Sequence, residues 1–408
     1  MATIYYARWI LLPTCEIIQN GGISIEGNSI YSIGPRGRIK RSADDHIVNV
    51  GDLMLMPGLI NMHIHLEEGV VRSYPKESDE TFSSWISKKK SRIKNASAET
   101  LKAAIRLGSR ELLSHGITTV VDSSRTGFSA DALKAEPIRA CIINEIHPED
   151  MTEEKAAIDL VSNRISATDN FFAYGIGPYS IFSMSPDNLR ALTEISRDKK
   201  RLWVTHIAES SEELQAFSER TGDLYFQITR KKGWPYGNTT SGSMHFALEN
   251  NLIPDKAICI HCNYVNGHEL DRLFDKNVFI VQCLQYTSAL DHKPFPMDSA
   301  RSRGIKLCLG TESIVYSESM DLFDELNFAK RLYPHIPAEE MLRWVTQNPA
   351  DALGAGDRLG SLAEGKLADI IGVRIRPDGM DDILEQLIAG ESDVRLVIVN
   401  GEEIISDY

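Results

Sequence analysis

The chain lacks any surplus of positive charge: 44 lysines and arginines stand against 57 aspartates and glutamates, a formal net charge of −13. A nucleic-acid surface or an anionic membrane demands a basic face, so neither is expected as a main partner. It also lacks an apolar run near the roughly 18 residues that a membrane span needs. The opening stretch MATIYYARWILLPTCEII has no basic region ahead of its apolar residues and is broken by Arg8, so export is not expected either. Cysteine is sparse. Cys15, Cys141, Cys259, Cys262, Cys283 and Cys308 are scattered through strand-like apolar surroundings, which suits reduced buried thiols in a cytoplasmic protein better than a disulfide framework. A dinucleotide-binding sheet would show G-x-G-x-x-G after its first strand, and that pattern is missing.

What is present is an ordinary globular composition, 42% hydrophobic and 25% charged, over 408 residues, enough for two structural units. The first 50 or so residues alternate short β-rich runs with the turn signals NGG and EGN, the texture of a small antiparallel unit. From Leu53 the pattern changes to apolar runs separated by helical stretches: LMLMPGLINMHIH, ETLKAAIRLGSRELLSHG, ITTVVDSS, then FFAYGIG, RLWVTHIAE, KAICIHCN, NVFIVQC and IKLCLGTES. Strand and helix alternating through about eight repeats predict an α/β fold, a (β/α)8 barrel of TIM type. The tail, GSLAEGKLADIIGVRI and DVRLVIVNGEEIISDY, returns to short strands. We therefore expect residues 1–54 and 350–408 to form one small β-sandwich domain from both chain ends, with the barrel, 55–349, inserted between them.

Chemistry-bearing residues collect at the ends of the barrel runs, where such barrels keep their active sites. His63 and His65 are two apart on a strand, so both imidazoles can face one side and bind one metal ion. RLWVTHIAES ends on His206 with Glu209 three residues on, KAICIHCN on His261, and IKLCLGTES on Glu312. An isolated His-x-His is as often two ordinary strand residues; four strand ends in order are hard to explain as packing. Cys259 and Cys262 make a C-x-x-C on a buried strand, but the H-x-E with P-C-x-x-C pattern of cytidine-type zinc deaminases is absent, and the pair is read as core. His115, His147, His245, His268 and His335 stand alone and are read as surface or loop residues.

In order and spacing, PGLINMHIHLE, VTHIAES, IHCN and LGTES resemble the amidohydrolase superfamily, in the branch of cytosine deaminase, the nucleoside deaminases and the triazine hydrolases. GSLAEGKLADIIGV with VIVNGEEI is similar to that branch's C-terminal signature, so the resemblance spans nearly the whole chain. It implies His63, His65, His206 and Glu312 as ligands of one divalent metal ion, zinc or iron. It implies Glu209, His261 and Glu312 as catalytic: a proton shuttle, a residue orienting the hydroxide, and an acceptor of the water proton. The activity implied is deamination of an N-heterocycle or a modified adenine nucleoside by metal-bound hydroxide, with release of ammonia, by a homodimer or homotetramer.

Two departures bear on this. The family has aspartate where Glu312 stands, and the extra carbon moves the carboxylate out by about 1.5 Å. Leu284-Gln285-Tyr286-Thr287-Ser288 replaces a Pro-Arg-Ser or Pro-x-Ser-Asn segment, and this loop with HKPFP is most similar to the aminodeoxyfutalosine deaminase group. Gln285, Tyr286 and His292 on that loop, Glu68 after the histidine pair, and Trp85 in SSWI are the expected substrate-binding residues. Where nucleoside deaminases carry an acidic residue after this tryptophan, the chain has SKKKSRIK, which favours a substrate with an anionic or differently polar arm. Two alternatives stay open: hydrolysis of a C–Cl, C–N(alkyl) or cyclic amide bond on a similar ring, and a barrel without turnover that acts as a binding protein.

Overall fold

The computed structural model describes residues 1–148, 151–164, 171–232, 241–316, 319–375, 383–390 and 393–408. Its strands run in chain order as β1 (Thr3–Leu11), β2 (Ile17–Glu26), β3 (Ser29–Pro35), β4 (His46–Asn49), β5 (Leu53–Pro57), β6 (Leu59–Ile64), β7 (Ile117–Ser124), β8 (Arg139–Ile146), β9 (Phe172–Pro178), β10 (Leu202–Ile207), β11 (Ile258–His261), β12 (Phe279–Gln282), β13 (Lys306–Leu309), β14 (Ile370–Arg374), β15 (Asp393–Val399) and β16 (Glu402–Ser406).

Both chain ends share one sheet, ordered β16-β15-β14-β5-β1-β2-β3 with β4 beside β1. Side chains alternate across a strand, and here the alternation separates two cores. Leu53, Leu55, Ile370, Leu396 and Ile398 pack within the terminal domain, while Met54, Met56, Ile371, Val397 and Val399 pack onto the barrel. The EGN signal is the turn between β2 and β3, with Gly27 at φ 60°. NGG is not a turn but lies inside β2, where Gly21 and Gly22 admit Ile10 and Tyr6 so closely that a Cβ would sit 2.5 and 2.8 Å from them. The first hairpin turns instead at residues 12–16, where Cys15 is left-handed.

The second sheet, β6 through β13 in strict sequence order and all parallel, is the expected barrel. It closes through a bridge between Ile64, at the end of β6, and Glu312, after β13. Ile60, Met62, Val121, Ile143, Val204, Ile260, Val281 and Cys308 fill its interior, and Ala350, Ala352 and Leu359 plug it from below. The run LMLMPGLINMHIH, which reads as one strand, is divided between the two sheets at Gly58. A Cβ there would lie 2.2 Å from Thr118 Oγ1, so only glycine lets the chain cross against β7.

Two helices shape the mouth. α1 (Phe82–Asn95) is capped by Thr81 and buries Phe82, Trp85, Ile86, Lys89 and Ile93, a stripe at helical spacing in which a lysine occupies one apolar position. α2 (Ala98–Ser114) is capped by Ser97 and packs Leu101, Ile105 and Leu112 inward. Among the described residues no helix is long and apolar enough to cross a membrane.

Candidate metal centre and active site

The barrel's C-terminal mouth gathers the marked residues. Along β6 and the residue after it the side-chain parity changes: Ile60 and Met62 face the interior, yet so do His63 and His65. A register irregularity between Asn61 and Ile64 in the pairing with β7 accounts for the change. At the seam, the amides of Thr311 and Glu312 donate to the His63 carbonyl at 3.0 and 3.1 Å, and the His65 amide donates to the Glu312 carbonyl at 2.9 Å. Gly310 permits this approach, since a Cβ there would lie 2.8 Å from the His63 backbone. Four residues at the mouth take left-handed backbone conformations that side chains rarely adopt: Ala208 (φ 52°), His261 (φ 70°), Cys262 (φ 54°) and Glu312 (φ 57°).

His63 Nε2 lies 3.0 Å from His206 Nε2 and 2.8 Å from Glu312 Oε2, while Glu312 Oε1 is 3.6 Å from Nε2 of both His65 and His206. Two of the opposite nitrogens are anchored, His65 Nδ1 to the Ser123 carbonyl at 3.1 Å and His206 Nδ1 to the Tyr179 carbonyl at 2.6 Å. Such second contacts orient a ligating histidine and leave Nε2 with its lone pair facing inward. Lone pairs and a carboxylate at these distances repel unless a positive charge lies among them. Burial opposes a charge on His206, yet Glu312 outweighs it and carries the ring pKa to about 9. Burial would raise the Glu312 carboxyl, but His63 and His206 hold it well below the carboxylate range. Ligand atoms of His63, His65, His206 and Glu312 lie within 4.8 Å of one another, all buried, and His65 Nε2 and Glu312 Oε2 have no hydrogen-bond partner among the described residues. Three imidazoles and one carboxylate so arranged fit a divalent metal ion.

Glu209 borders this cluster. Its Oε1 is 3.5 Å from His261 Nε2, accepts from Tyr286 OH at 3.3 Å and is 4.0 Å from His292 Nε2. Burial carries its pKa to about 8, so it holds a proton at neutral pH, and burial lowers His261 to about 4 and His292 to about 3. Two residues fix its backbone. Glu213 accepts the amides of Ala208 and Glu209, both at 2.9 Å, and Asn263 Nδ2 donates to the Glu209 carbonyl at 3.0 Å.

The remaining expected residues divide. Tyr286 stacks on His261, with ring centroids 5.5 Å apart, and His292 meets Phe82 edge-on. Gln285 turns away from the cluster, its amide donating to buried Glu325 at 3.2 Å. Glu68 and Trp85 meet through Lys89, whose Nζ is 2.7 Å from Glu68 Oε1 and 4.5 Å from the indole centroid, so the middle of the KKK run is spent inside the protein. Sequence reading missed Tyr179, which leans on His206 at 4.7 Å with His147 stacked behind it, and also Glu213 and Glu325. Ser210-Ser-Glu-Glu213 carries the Ser-x-x-Glu spacing of a helix start, a signal that was available; Tyr179 and Glu325 had none.

A (β/α)8 barrel with a buried cluster of histidines and a glutamate fit for a divalent ion, beside a protonated carboxyl, defines a metal-dependent hydrolase. The chain belongs to the amidohydrolase family, whose model matches residues 54–404. It is 25% identical to a 5-methylthioadenosine/S-adenosylhomocysteine deaminase of Halothermothrix orenii, covering 96% of this chain and 90% of that protein. An adenosine deaminase of Xanthomonas campestris with bound zinc superposes with a TM-score of 0.84 at 18% identity, over 99% of this chain and 93% of the other. Helicobacter pylori aminofutalosine deaminase, in complex with methylthio-coformycin, superposes with a TM-score of 0.82 at 20% identity, over 99% of this chain and the whole of the other. The fold is therefore the amidohydrolase barrel with its terminal β-domain.

Proposed function

We propose that this protein is an aminohydrolase that deaminates an N-heterocycle, foremost a modified adenine nucleoside, with release of ammonia. One observation carries the reading: Glu209, a carboxyl kept protonated by burial, faces His261 beside the His63–His65–His206–Glu312 cluster. Relatives named as adenosine-type deaminases support it. His63, His65, His206 and Glu312 would hold one divalent ion, zinc or iron, whose Lewis acidity lowers the pKa of a water towards about 7. Glu209 gives its proton to the ring nitrogen next to the carbon under attack. Glu312 takes a proton from the attacking water and passes it to the departing amine. His261, kept neutral by burial, stabilises the oxygen that builds up on that carbon. Tyr286 and Tyr179 pack against His261 and His206 and give the cluster an aromatic wall. His292, Trp85 and Glu68 complete the substrate side, Glu68 through Lys89, while Gln285 is held aside by Glu325.

The test is metal analysis of the purified protein with ammonia release measured across adenine nucleosides, purines, pyrimidines and triazines. A bound divalent ion and ammonia from an adenine nucleoside are expected, and Glu209→Gln should lower kcat about 10²- to 10⁴-fold while the ion is kept. An ion-loaded enzyme that releases ammonia from none of them sinks the reading, and chloride or alkylamine release would replace it. We also propose a cytoplasmic homodimer or homotetramer; light scattering checks the assembly.

A further inference from the structure

We propose that His261, Cys283 and Glu312 form a second cation site next to the first, one that takes a soft divalent ion such as zinc and inhibits the enzyme when filled. Three neighbouring strands supply it: β11 ends in His261, Cys283 follows β12, and Glu312 follows β13. A nitrogen of His261, the sulfur of Cys283 and an oxygen of Glu312 lie within 4.8 Å of one another, all buried. The burial of His261 adds to this. Its ring is fully buried, and Nδ1 has no hydrogen-bond partner among the described residues. Nε2 lies 3.4 Å from Glu312 Oε2 and 3.5 Å from Glu209 Oε1.

The longer arm of Glu312 makes the arrangement possible. Its Oε1 faces His65 and His206, and its Oε2, also 2.8 Å from His63, faces His261. A carboxylate so placed can bridge two ions about 3.5–4 Å apart, the usual spacing of paired metal sites. An aspartate would fall short by about one C–C bond, ~1.5 Å. Nitrogen, sulfur and oxygen donors with one open position suit zinc, and the thiolate discriminates against magnesium, calcium and manganese. On binding, the Cys283 S–H bond breaks, its proton leaves to solvent and a sulfur–metal bond forms, with no change of oxidation state. The inhibition rests on the proposed function: the second ion occupies His261 and Glu312, the two residues needed for the attacking water and the developing oxygen.

Metal-free protein titrated with cobalt(II) tests the inference. We expect two ions per chain by elemental analysis, with a thiolate-to-cobalt charge-transfer absorption that grows only with the second. Ammonia release should rise with the first equivalent and fall with the second. Cys283→Ser and Cys283→Ala should keep the first ion, lack the absorption, and bind the second at least 10- to 100-fold more weakly, the loss that even an outer partner of a metal ligand brings. Inhibition by excess ion, measured against each variant's own rate, should disappear. Saturation at one ion with no thiolate band overturns the inference while the proposed function stands, as does a Cys283→Ser protein inhibited like the parent. Failure to bind even the first ion overturns both.

Discussion

The two ends of the barrel both bury charge, and they treat it in opposite ways. At the bottom, Arg139 opens β8 and reaches Asp369 with Nε at 2.6 Å and Nη2 at 3.0 Å; Nη2 also donates to Asn400 Oδ1 at 2.8 Å, and the Asn400 amide closes the ring on Asp369 at 2.8 Å. This clasp ties the barrel to the terminal sheet. At the mouth, among the described residues, His65 Nε2, both nitrogens of His261, Glu312 Oε2 and two guanidinium nitrogens of Arg125 lack hydrogen-bond partners. A buried polar group left unpaired costs about 1–3 kcal/mol, so folding alone does not retain such a set. The clasp is architecture, and the unpaired charged groups at the mouth fit a ligand.

Breaking each end should separate these roles. The largest effect is expected at the mouth: His206→Ala should abolish binding of the first ion and lower kcat/KM by about 10³-fold or more, the several kcal/mol that a Lewis-acid ion contributes. Elemental analysis beside the ammonia assay reads it. At the bottom, Arg139→Ala leaves Asp369 buried without its partner and should cost about 3–5 kcal/mol in urea unfolding. The ion content of the folded fraction should not change. A smaller effect sharpens the boundary. Burial raises the Glu325 carboxyl to about 8, against about 4.3 in the unfolded chain, so the native state keeps a proton that the unfolded state loses. Glu325 should therefore weaken folding progressively as pH rises from about 4.3 to about 8, with no further change above. Glu325→Gln should remove that slope, seen as the difference between the two proteins' stability–pH curves.

Much of the mouth is legible in the sequence, because barrel enzymes read in sequence order. His63, His65, His206, His261 and Glu312 each end or follow an apolar run, and parallel strands bring such ends together. Other features resist a linear reading for physical reasons. The parity change between Met62 and His63 depends on the pairing with β7, not on β6 itself. β8 is buried along its whole length and shows no alternation to mark it. Glu325 receives the amides of Leu284 and Gln285 from a different helix, a contact that exists only in the folded chain. Gln285 was expected at the substrate, and that same contact is what holds its side chain aside.

Gly310 has a consequence for how the molecule is assembled. It lets the last barrel strand settle against the first at His63, so the joint between the two holds His63 and His65 on one side and Glu312 on the other. These strands are the most distant in sequence of any neighbouring pair in the barrel, and such closures carry the largest loop-entropy cost. Any ion gripped by His63, His65 and Glu312 would therefore act as a rivet across the joint. The same atoms proposed to prepare a water for attack would keep the staves of the barrel from parting.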